Sequence, residues 1–341
     1  MSHRSWIAPL TVLLLAAAVR LAFLDQESFW GDECVTSYMA RQPLVSIVTG
    51  EVREPNYPSG QLVLAHLWIA ATGTSDFAMR LLPVVAGIVG VAVTYGCARR
   101  AFGARDALLA AALLAINPAH IYLSQEFRTY TLLFVFAACM LWAAIAYYDV
   151  GSTRSLLAWA AAAAVGMQIH HYAALAAVPL SLWMAVVQPP LGHRARWAAA
   201  NAAVDLAGLF SLWGSTVEPE ATSAAEVVYA GVLHFAMTPA SLLFGRTLAW
   251  QDDGVAAVAV VLAAATVVWA CAFAYGWRTL PYRSGLVTAA LAPAAIAILM
   301  MVLFRFGTWD DRKAFIILPP VVLMLAYGLG RAPRGLRATL L

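Results

Sequence analysis

Two adjacent carboxylates stand among aromatic residues near the start of the chain, in the run Phe29-Trp30-Gly31-Asp32-Glu33. An aspartate that is partly removed from water is suited to accept a proton from an attacking hydroxyl group, so Asp32 is a candidate general base. The alternatives are a solvated loop carboxylate and a helix N-cap formed by Asp32. The run therefore points to acid–base chemistry, with these two plainer roles left open.

A second candidate is the arginine in the run Leu123-Ser124-Gln125-Glu126-Phe127-Arg128-Thr129-Tyr130. The planar guanidinium group of Arg128 has the geometry to bind a phosphate or a carboxylate through two hydrogen bonds. A pairing with Glu126 and a place in the membrane interface are the alternatives for this arginine. Tyr130 has the ordinary interpretation of an interface aromatic residue.

A third cluster, Asp310-Asp311-Arg312-Lys313, directly precedes the last apolar run. Either an anionic ligand at the membrane surface or neutralisation by the two aspartates explains the basic pair. A fourth cluster is His170-His171-Tyr172. Adjacent histidines do not share one face of a helix, so a metal site made of both is disfavoured. One of them is expected to donate a hydrogen bond to a substrate or to lie in the interface.

No cofactor is predicted, and a divalent cation is possible but not indicated, since paired surface acids seldom hold one. Neither a glycine-rich nucleotide motif nor a Walker motif occurs in the sequence. Arg20 and Asp205 lie inside apolar runs, where a lone charge is costly. We therefore expect them to pair with each other, or Arg20 to face the carboxylates at 32–33.

The elements that position these residues must be membrane helices. Of the 341 residues, 62% are hydrophobic and only 11% are charged, against roughly 45–50% and about 25% in soluble domains. This composition excludes a water-soluble enzyme and a disordered chain. With a single lysine among the 21 basic residues, no basic arm for nucleic acid is present. The expected fold class is an all-α polytopic membrane protein.

About ten apolar runs could span a bilayer, each requiring about 20 residues. They lie near 5–24, 80–98, 107–123, 130–148, 155–170, 172–187, 198–214, 255–276, 285–304 and 314–330. With the N-terminus in the cytoplasm, the cytoplasmic segments hold 12 basic and two acidic residues, and the outer segments hold eight basic and 15 acidic residues. By the positive-inside rule both termini are therefore expected to be cytoplasmic.

The whole chain, 1–341, is expected to form one integral membrane domain without a soluble C-terminal domain. Two outer loops are long, 25–79 and 215–254, and functional residues concentrate in such loops. The apolar stretches 61–72 and 228–249 within them are predicted to be juxtamembrane helices. The candidate site residues therefore gather on the outer side.

These motifs, in this order, resemble the GT-C superfamily of membrane glycosyltransferases, of the protein-mannosyltransferase and lipid A aminoarabinose transferase type. The matching features are an Asp-Glu pair after the first span and a Pro-led helix with a His-Leu-Trp sequence. An Arg-Leu-x-Pro second span ending in Ala-Arg-Arg-x-Phe-Gly and an Asn-Pro block through Ser-Gln-Glu-x-Arg-x-Tyr also match. In this chain they read Asp32-Glu33, Tyr57-Pro58 to Trp68, Arg80 to Pro83, Ala98 to Gly103 and Asn117 to Tyr130. Two weaker matches are His171-Tyr172 and Arg312-Lys313 with Leu318-Pro319.

The resemblance implies an inverting transfer of a sugar from a polyprenyl-phosphate donor to a hydroxyl group of a glycan, lipid or protein. Asp32 would be the base, with Glu33 and Glu126 orienting the reacting groups. Arg128 and either Arg312 or Lys313 would stabilise the leaving phosphate. Tyr57, Tyr130, His171 and Tyr172 would contact the substrates. The Ala-rich composition adds a bacterial plasma membrane as the expected location.

A polytopic transporter or flippase for a lipid-linked or small anionic substrate is the alternative function. Ten spans suit a transporter, and Arg20 with Asp205 could line a pathway. Transporters usually place their site near the middle of the membrane and contain repeats. Here the polar clusters fall on one side and no repeat is visible, so the sequence favours the enzyme.

Overall fold

A computed structural model of the chain describes residues 6–54, 57–187, 191–213, 274–304 and 312–333, with seven single positions between 238 and 270. The regular elements of this described part are helices, without a strand. The prediction of an all-α protein is confirmed. The predicted second outer loop, 215–254, and the predicted span at 255–276 lie almost wholly outside the described residues.

The helices follow the apolar runs of the sequence. The first group is α1 (Ile7–Leu21), α2 (Gly31–Ala40), α3 (Leu44–Val48), α4 (Ser59–Thr72), α5 (Asp76–Phe102), α6 (Ala104–Ala115) and α7 (Pro118–Gln125). The second group is α8 (Tyr130–Val150), α9 (Thr153–Ile169), α10 (Ala173–Val187), α11 (Leu191–Trp213), α12 (Arg283–Phe304) and α13 (Leu318–Arg331). Two short 3₁₀ helices, Trp277–Thr279 and Lys313–Ile317, precede α12 and α13.

Three described helices are long and apolar enough to cross a membrane: α5, α8 and the continuous stretch Lys313–Arg331. The pair α6 and α7 adds a fourth span if the two are counted together, with a bend of 56° between them. An integral membrane protein is therefore supported, while a total of about ten spans stays a prediction. Shorter apolar helices include α1 and parts of α10 and α12.

The predicted span at 107–123 is broken by proline. Pro118 begins α7, and the Asn117 side chain accepts a hydrogen bond from His120 N at 2.8 Å as the helix cap. Because proline has no N–H group and disfavours the helical conformation of the residue before it, α6 ends and α7 starts in a new direction. The break orients α7, which leads to the turn that carries Arg128.

Arg20 of α1 holds this break together and is fully buried. It donates hydrogen bonds to Leu114 O (3.2 Å), Ala115 O (3.0 Å), Ser124 Oγ (3.2 Å) and its own helix at Ala16 O (3.0 Å), and it contacts His120 Nδ1 at 2.8 Å. The last carbonyl groups of a helix lack hydrogen-bond donors within that helix, and here Arg20 is their donor. The prediction that Arg20 pairs with Asp205 or faces the carboxylates at 32–33 is wrong. The guanidinium group is bound by the carbonyl groups and side chains just named, and Asp205 is exposed on α11.

Helices α2, α3 and α4 form a small layer over one end of the bundle, which we call the Asp32 end. Helix α4 covers the apolar stretch 61–72, where a helix was predicted. A side chain could not fit at Gly60, since an added Cβ atom would lie 2.4 Å from Gln168 O of α9. Trp68 Nε1 donates to Ala78 O at 2.8 Å. These contacts fix α4 against α9 and the start of α5.

The other end of the bundle, which we call the Arg100 end, is fastened by ion pairs at the surface. Arg100 Nε lies 2.9 Å from Asp149 Oδ2, with both side chains about a third exposed or less. The hydroxyl group of Tyr282 donates to Asp149 Oδ1 at 2.7 Å. Pairs of this kind contribute little to stability, about 0–1 kcal/mol each.

Candidate active site

A buried ion pair holds the loop after α1 in place. The carboxylate of Glu33 is fully buried and accepts from Arg80 Nε at 2.9 Å and from Arg80 Nη2 at 2.7 Å. Glu33 Oε1 also accepts from Phe127 N at 2.7 Å. Arg80 in turn donates to the backbone carbonyl groups of Leu24, Glu27 and Ser28. Glu33 therefore positions the turn between α7 and α8 relative to α2.

Asp32, its neighbour, is half-exposed, with 44% of its side chain accessible. It is the second residue of α2, and Trp30 occupies the N-cap position, so the alternative of an N-cap formed by Asp32 is wrong. Asp32 Oδ2 accepts a hydrogen bond from Arg312 Nη1 at 2.9 Å. This is the accessible carboxylate that the structure brings together with the predicted basic pair.

Arg128 is bound by a carboxylate that sequence reasoning missed. Its Nη1 lies 2.5 Å from Glu54 Oε1 and also donates to Thr36 Oγ1 and to Asp32 O, the latter at 3.2 Å. Both members of the Arg128–Glu54 pair are buried. The alternative pairing of Arg128 with the Glu126 carboxylate is wrong, although Glu126 is also buried at the end of α7. Glu54 accepts in addition from Gln61 Nε2 at 2.7 Å.

The charge of Arg128 is strongly stabilised by this surrounding. Burial opposes the charged form, but the hydrogen-bonded carboxylate of Glu54 favours it, and the pKa of Arg128 is raised above its ordinary value. The guanidinium carbon lies 4.8 Å from the centre of the Tyr57 ring. All three donated bonds use Nη1, and Nε is buried with no hydrogen-bond partner in the described part of the chain. Arg128 therefore keeps donor capacity for an anion.

The basic pair at the start of the last span faces aromatic rings. Arg312 Cζ lies 4.2 Å from the centre of the Trp30 ring and 5.9 Å from that of Tyr130. Lys313 Nζ lies 5.9 Å from the Tyr172 ring. The 3₁₀ helix Lys313–Ile317 leads directly into α13, which fixes the direction from which Arg312 approaches α2 and Lys313 approaches Tyr172.

Four rings, those of three tyrosines and one histidine, lie together at the same end. The hydroxyl groups of Tyr57 and Tyr130 are 2.9 Å apart, and the Tyr57 ring is 5.1 Å from that of His170. The His170 ring is 5.3 Å from that of Tyr172. Burial raises the pKa of Tyr57, so its phenol group remains protonated. The sequence-predicted tyrosines 57, 130 and 172 thus form one wall, and the alternative of a surface interface residue is wrong for the buried Tyr130.

Of the two adjacent histidines, His170 and not His171 joins this wall. Tyr172 N lies 3.2 Å from His170 Nδ1, and burial lowers the pKa of His170, so the neutral ring carries its proton on Nε2. His171 instead lies 3.3 Å from Ser211 Oγ of α11, and burial lowers its pKa to about 4. His171, which was predicted to contact a substrate, therefore lies against α11, and His170 is the histidine that lies beside the tyrosines.

Several N–H groups of this cluster are buried without a hydrogen-bond partner among the described residues. Trp30 Nε1, His170 Nε2 and Arg128 Nε are among them. A buried donor without a partner is costly, and few occur in native proteins. Three of them beside two further cations form an arrangement suited to a polar, anionic ligand. No group of three or more metal-ligating side chains occurs in the described part, and Asp252, Asp253, Asp310 and Asp311 lie outside it.

Comparisons with known proteins agree with this architecture. Residues 58–215 match the family described as dolichyl-phosphate-mannose-protein mannosyltransferase. ArnT from Cupriavidus metallidurans in the apo state has a TM-score of 0.61 at 16% identity, covering 97% of this chain and 61% of that chain. The same protein bound to undecaprenyl phosphate gives 0.61 at 17% identity, with 99% and 62% covered.

A third similar structure is the archaeal oligosaccharyltransferase AglB from Archaeoglobus fulgidus, in complex with an inhibitory peptide and a dolichol-phosphate. Its TM-score is 0.57 at 13% identity, covering 96% of this chain and 51% of that chain. No curated protein matches the chain by sequence. The chain thus spans 51–62% of the length of these three solved structures.

The described fold is similar to that of ArnT and AglB, and residues 58–215, just under half of the chain, match the mannosyltransferase family model. The family match and the structural matches confirm the predicted resemblance to GT-C membrane glycosyltransferases of the ArnT and protein-mannosyltransferase type.

Proposed function

We propose that this protein is an inverting glycosyltransferase that moves a sugar from a polyprenyl-phosphate donor to an acceptor hydroxyl group. The observation that carries the proposal is the half-exposed Asp32 within hydrogen-bond distance of Arg312, beside a wall of aromatic rings. The similar ArnT structure binds undecaprenyl phosphate, and AglB binds a dolichol-phosphate. Both ligands belong to the proposed donor class.

In the proposed reaction Asp32 accepts the proton of the acceptor hydroxyl group through a carboxylate oxygen. The acceptor oxygen attacks the anomeric carbon, and the bond between that carbon and the phosphate oxygen breaks. The bonding electrons remain on the phosphate, which leaves as polyprenyl phosphate with added negative charge. One displacement of this kind inverts the configuration at the anomeric carbon.

The cations at the Asp32 end would stabilise the charge that develops on the phosphate. Arg312 and Lys313 approach from the last span, and Arg128 approaches from the turn before α8. Fixed cations beside a developing charge give the largest stabilisation in sites of low dielectric constant. The rings of Tyr57, Tyr130 and Tyr172 would hold the sugar by contact with its apolar faces, with His170 Nε2 donating to a hydroxyl group.

Charge distribution supports a site on the outer side of a bacterial plasma membrane. With cytoplasmic termini, the basic residues gather in cytoplasmic segments and the Asp32 end faces out. A donor carried on a polyprenyl lipid needs no nucleotide there, which agrees with the missing nucleotide motifs. The acceptor would be a glycan, a lipid or a protein that carries a hydroxyl group.

The structure gives less support to a transporter or flippase. Arg20, the buried charge that could have lined a pathway, is occupied by helix carbonyl groups and the side chains of α7. Asp205 is exposed on α11 and is not among the hydrogen-bond partners of Arg20. The remaining polar cluster lies at one end of the bundle, whereas transporter sites lie near the middle of the membrane.

The test is transfer of radiolabelled sugar from a panel of polyprenyl-phosphate sugars by the purified chain, with membrane extract as acceptor. Asp32→Asn should lower the rate by about 100-fold or more, because a general base contributes that much. Asp149→Asn, which alters a surface pair at the Arg100 end, is the matched control and should keep full activity. Full activity of Asp32→Asn would contradict the assigned base, and donor binding without transfer would favour transport.

A further inference from the structure

The two carboxylates that hold cations at the Asp32 end differ in accessibility. Glu54 holds Arg128 in a buried pair, with 8% and 2% of the side chains exposed. Asp32 holds Arg312 in a pair with 44% and 14% exposed. Exposed ion pairs contribute little to stability, whereas breaking a buried pair leaves an uncompensated charge. An incoming anion can therefore displace Asp32 from Arg312 far more easily than Glu54 from Arg128.

We propose that Arg312 masks Asp32 until the phosphate of the donor takes the arginine, so that donor binding itself releases the base. This inference rests on the proposed function, because it takes the competing anion to be the phosphate of a polyprenyl lipid. The site would then bind its substrates in order, donor first. The acceptor hydroxyl group could then be deprotonated only when a donor sugar is already bound and can react with the acceptor oxygen.

The geometry supports this exchange in two respects. Asp32 Oδ2, a candidate oxygen for the proton, is the atom that accepts from Arg312. A phosphate is also the stronger partner, since it offers the guanidinium group two parallel charge-assisted hydrogen bonds. In this structure the hydrogen bond between the two residues joins one atom of each, Arg312 Nη1 and Asp32 Oδ2.

Arg312 has a support that allows it to change partner without leaving the site. Its Cζ atom lies 4.2 Å from the centre of the Trp30 ring and 5.9 Å from that of Tyr130. Contacts of a cation with aromatic faces tolerate small displacements, so a small shift of the guanidinium group from Asp32 toward a bound phosphate would keep part of this contact.

The experiment measures the Kd of undecaprenyl phosphate for the purified full chain and three variants in a double-mutant cycle. If Asp32 competes with phosphate for Arg312, Asp32→Asn should tighten binding about two- to fivefold. Arg312→Gln should weaken it about tenfold or more, through loss of charge-assisted bonds. In the Arg312→Gln background, Asp32→Asn should have almost no further effect.

The cycle separates exchange from simple repulsion between Asp32 and the phosphate. Equal tightening by Asp32→Asn in both backgrounds would mean repulsion only and would overturn the proposal. Unchanged or weaker binding by Asp32→Asn would overturn it as well. Failure of the unaltered chain to bind undecaprenyl phosphate would instead contradict the proposed function, and with it this inference. Asp149→Asn is the control and should leave the Kd unchanged.

Fluorescence gives a second readout that begins with the unaltered chain. Arg312 stacked on Trp30 should influence the emission of that indole, so undecaprenyl phosphate should change the fluorescence of the full chain. The change should be smaller in Trp30→Phe and absent in Arg312→Gln. A signal of equal size in Trp30→Phe would mean that Arg312 does not move and would overturn the exchange.

Discussion

Glu33 and Asp32 are neighbours in sequence and opposites in surroundings. Glu33 is fully buried and accepts two hydrogen bonds from Arg80, one from the Phe127 amide and one from the Trp30 amide, so its carboxylate is fully used by the protein. Asp32 is half-exposed and shares one oxygen with Arg312. The comparison teaches that a carboxylate with complete protein partners positions the fold, whereas one with incomplete partners is available for chemistry.

The largest expected effect on stability is at Glu33. Glu33→Gln would leave Arg80 buried without a counterion, which costs about 3–5 kcal/mol in comparable cases. The measurement is the free energy of unfolding in detergent micelles, with Asp149→Asn as the matched surface carboxylate. A loss similar to that of Asp149→Asn would show that Glu33 is not the structural member of the two neighbours.

A smaller effect is expected at Glu54. Glu54→Gln keeps a hydrogen-bond acceptor for Arg128, which also retains Thr36, the Asp32 carbonyl group and the Tyr57 ring. We expect a loss of about 1.5–3 kcal/mol, the value of a hydrogen bond to a charged group. The same unfolding measurement checks it. If Glu54→Gln is as stable as the unaltered chain, Glu54 behaves like the accessible Asp32. That result would contradict the distinction between buried and accessible ion pairs.

The smallest effect on stability is expected at Asp32. Asp32→Asn should change the free energy of unfolding by about 1 kcal/mol or less, because its pair with Arg312 is partly exposed. Its effect on sugar transfer should nevertheless be the largest of the three. A stability loss as large as that of Glu33→Gln would mean that Asp32 is a structural residue, and lost activity would then say nothing about a base.

The sequence predicted where helices occur better than where a helix is interrupted. The apolar runs at 80–98 and 130–148 became α5 and α8, but the run at 107–123 became two helices. Proline alone does not account for the difference, since Pro83 lies inside α5 without ending it. At 117–118 the asparagine cap and the hydrogen bonds that Arg20 donates to the last carbonyl groups of α6 stabilise the broken form, and the bond to Leu114 O joins residues 94 positions apart in sequence.

Prediction of the site had the same limit. Asp32, Arg312 and the tyrosines stand in recognisable motifs, and the structure brings them together. Glu54 was missed because nothing local distinguishes it from the other acids of the loop 25–79, and its partner Arg128 is 74 residues further on. His170 and His171 are indistinguishable by composition, and only the direction of the backbone at the end of α9 determines which one meets Tyr57.

The clamp of Arg20 on the break between α6 and α7 has a consequence for biogenesis. The first helix is synthesised with an arginine whose acceptors, Leu114 and Ala115, emerge only about 94 residues later. Until then the last turn of α1 carries an arginine without these partners, and a charge in an apolar helix is costly in a membrane, most of all near the helix centre. If α1 enters the membrane as predicted, its insertion would become secure only when the broken helix arrives. A chain interrupted before α6 should lose α1 from the membrane more readily than one interrupted after α7.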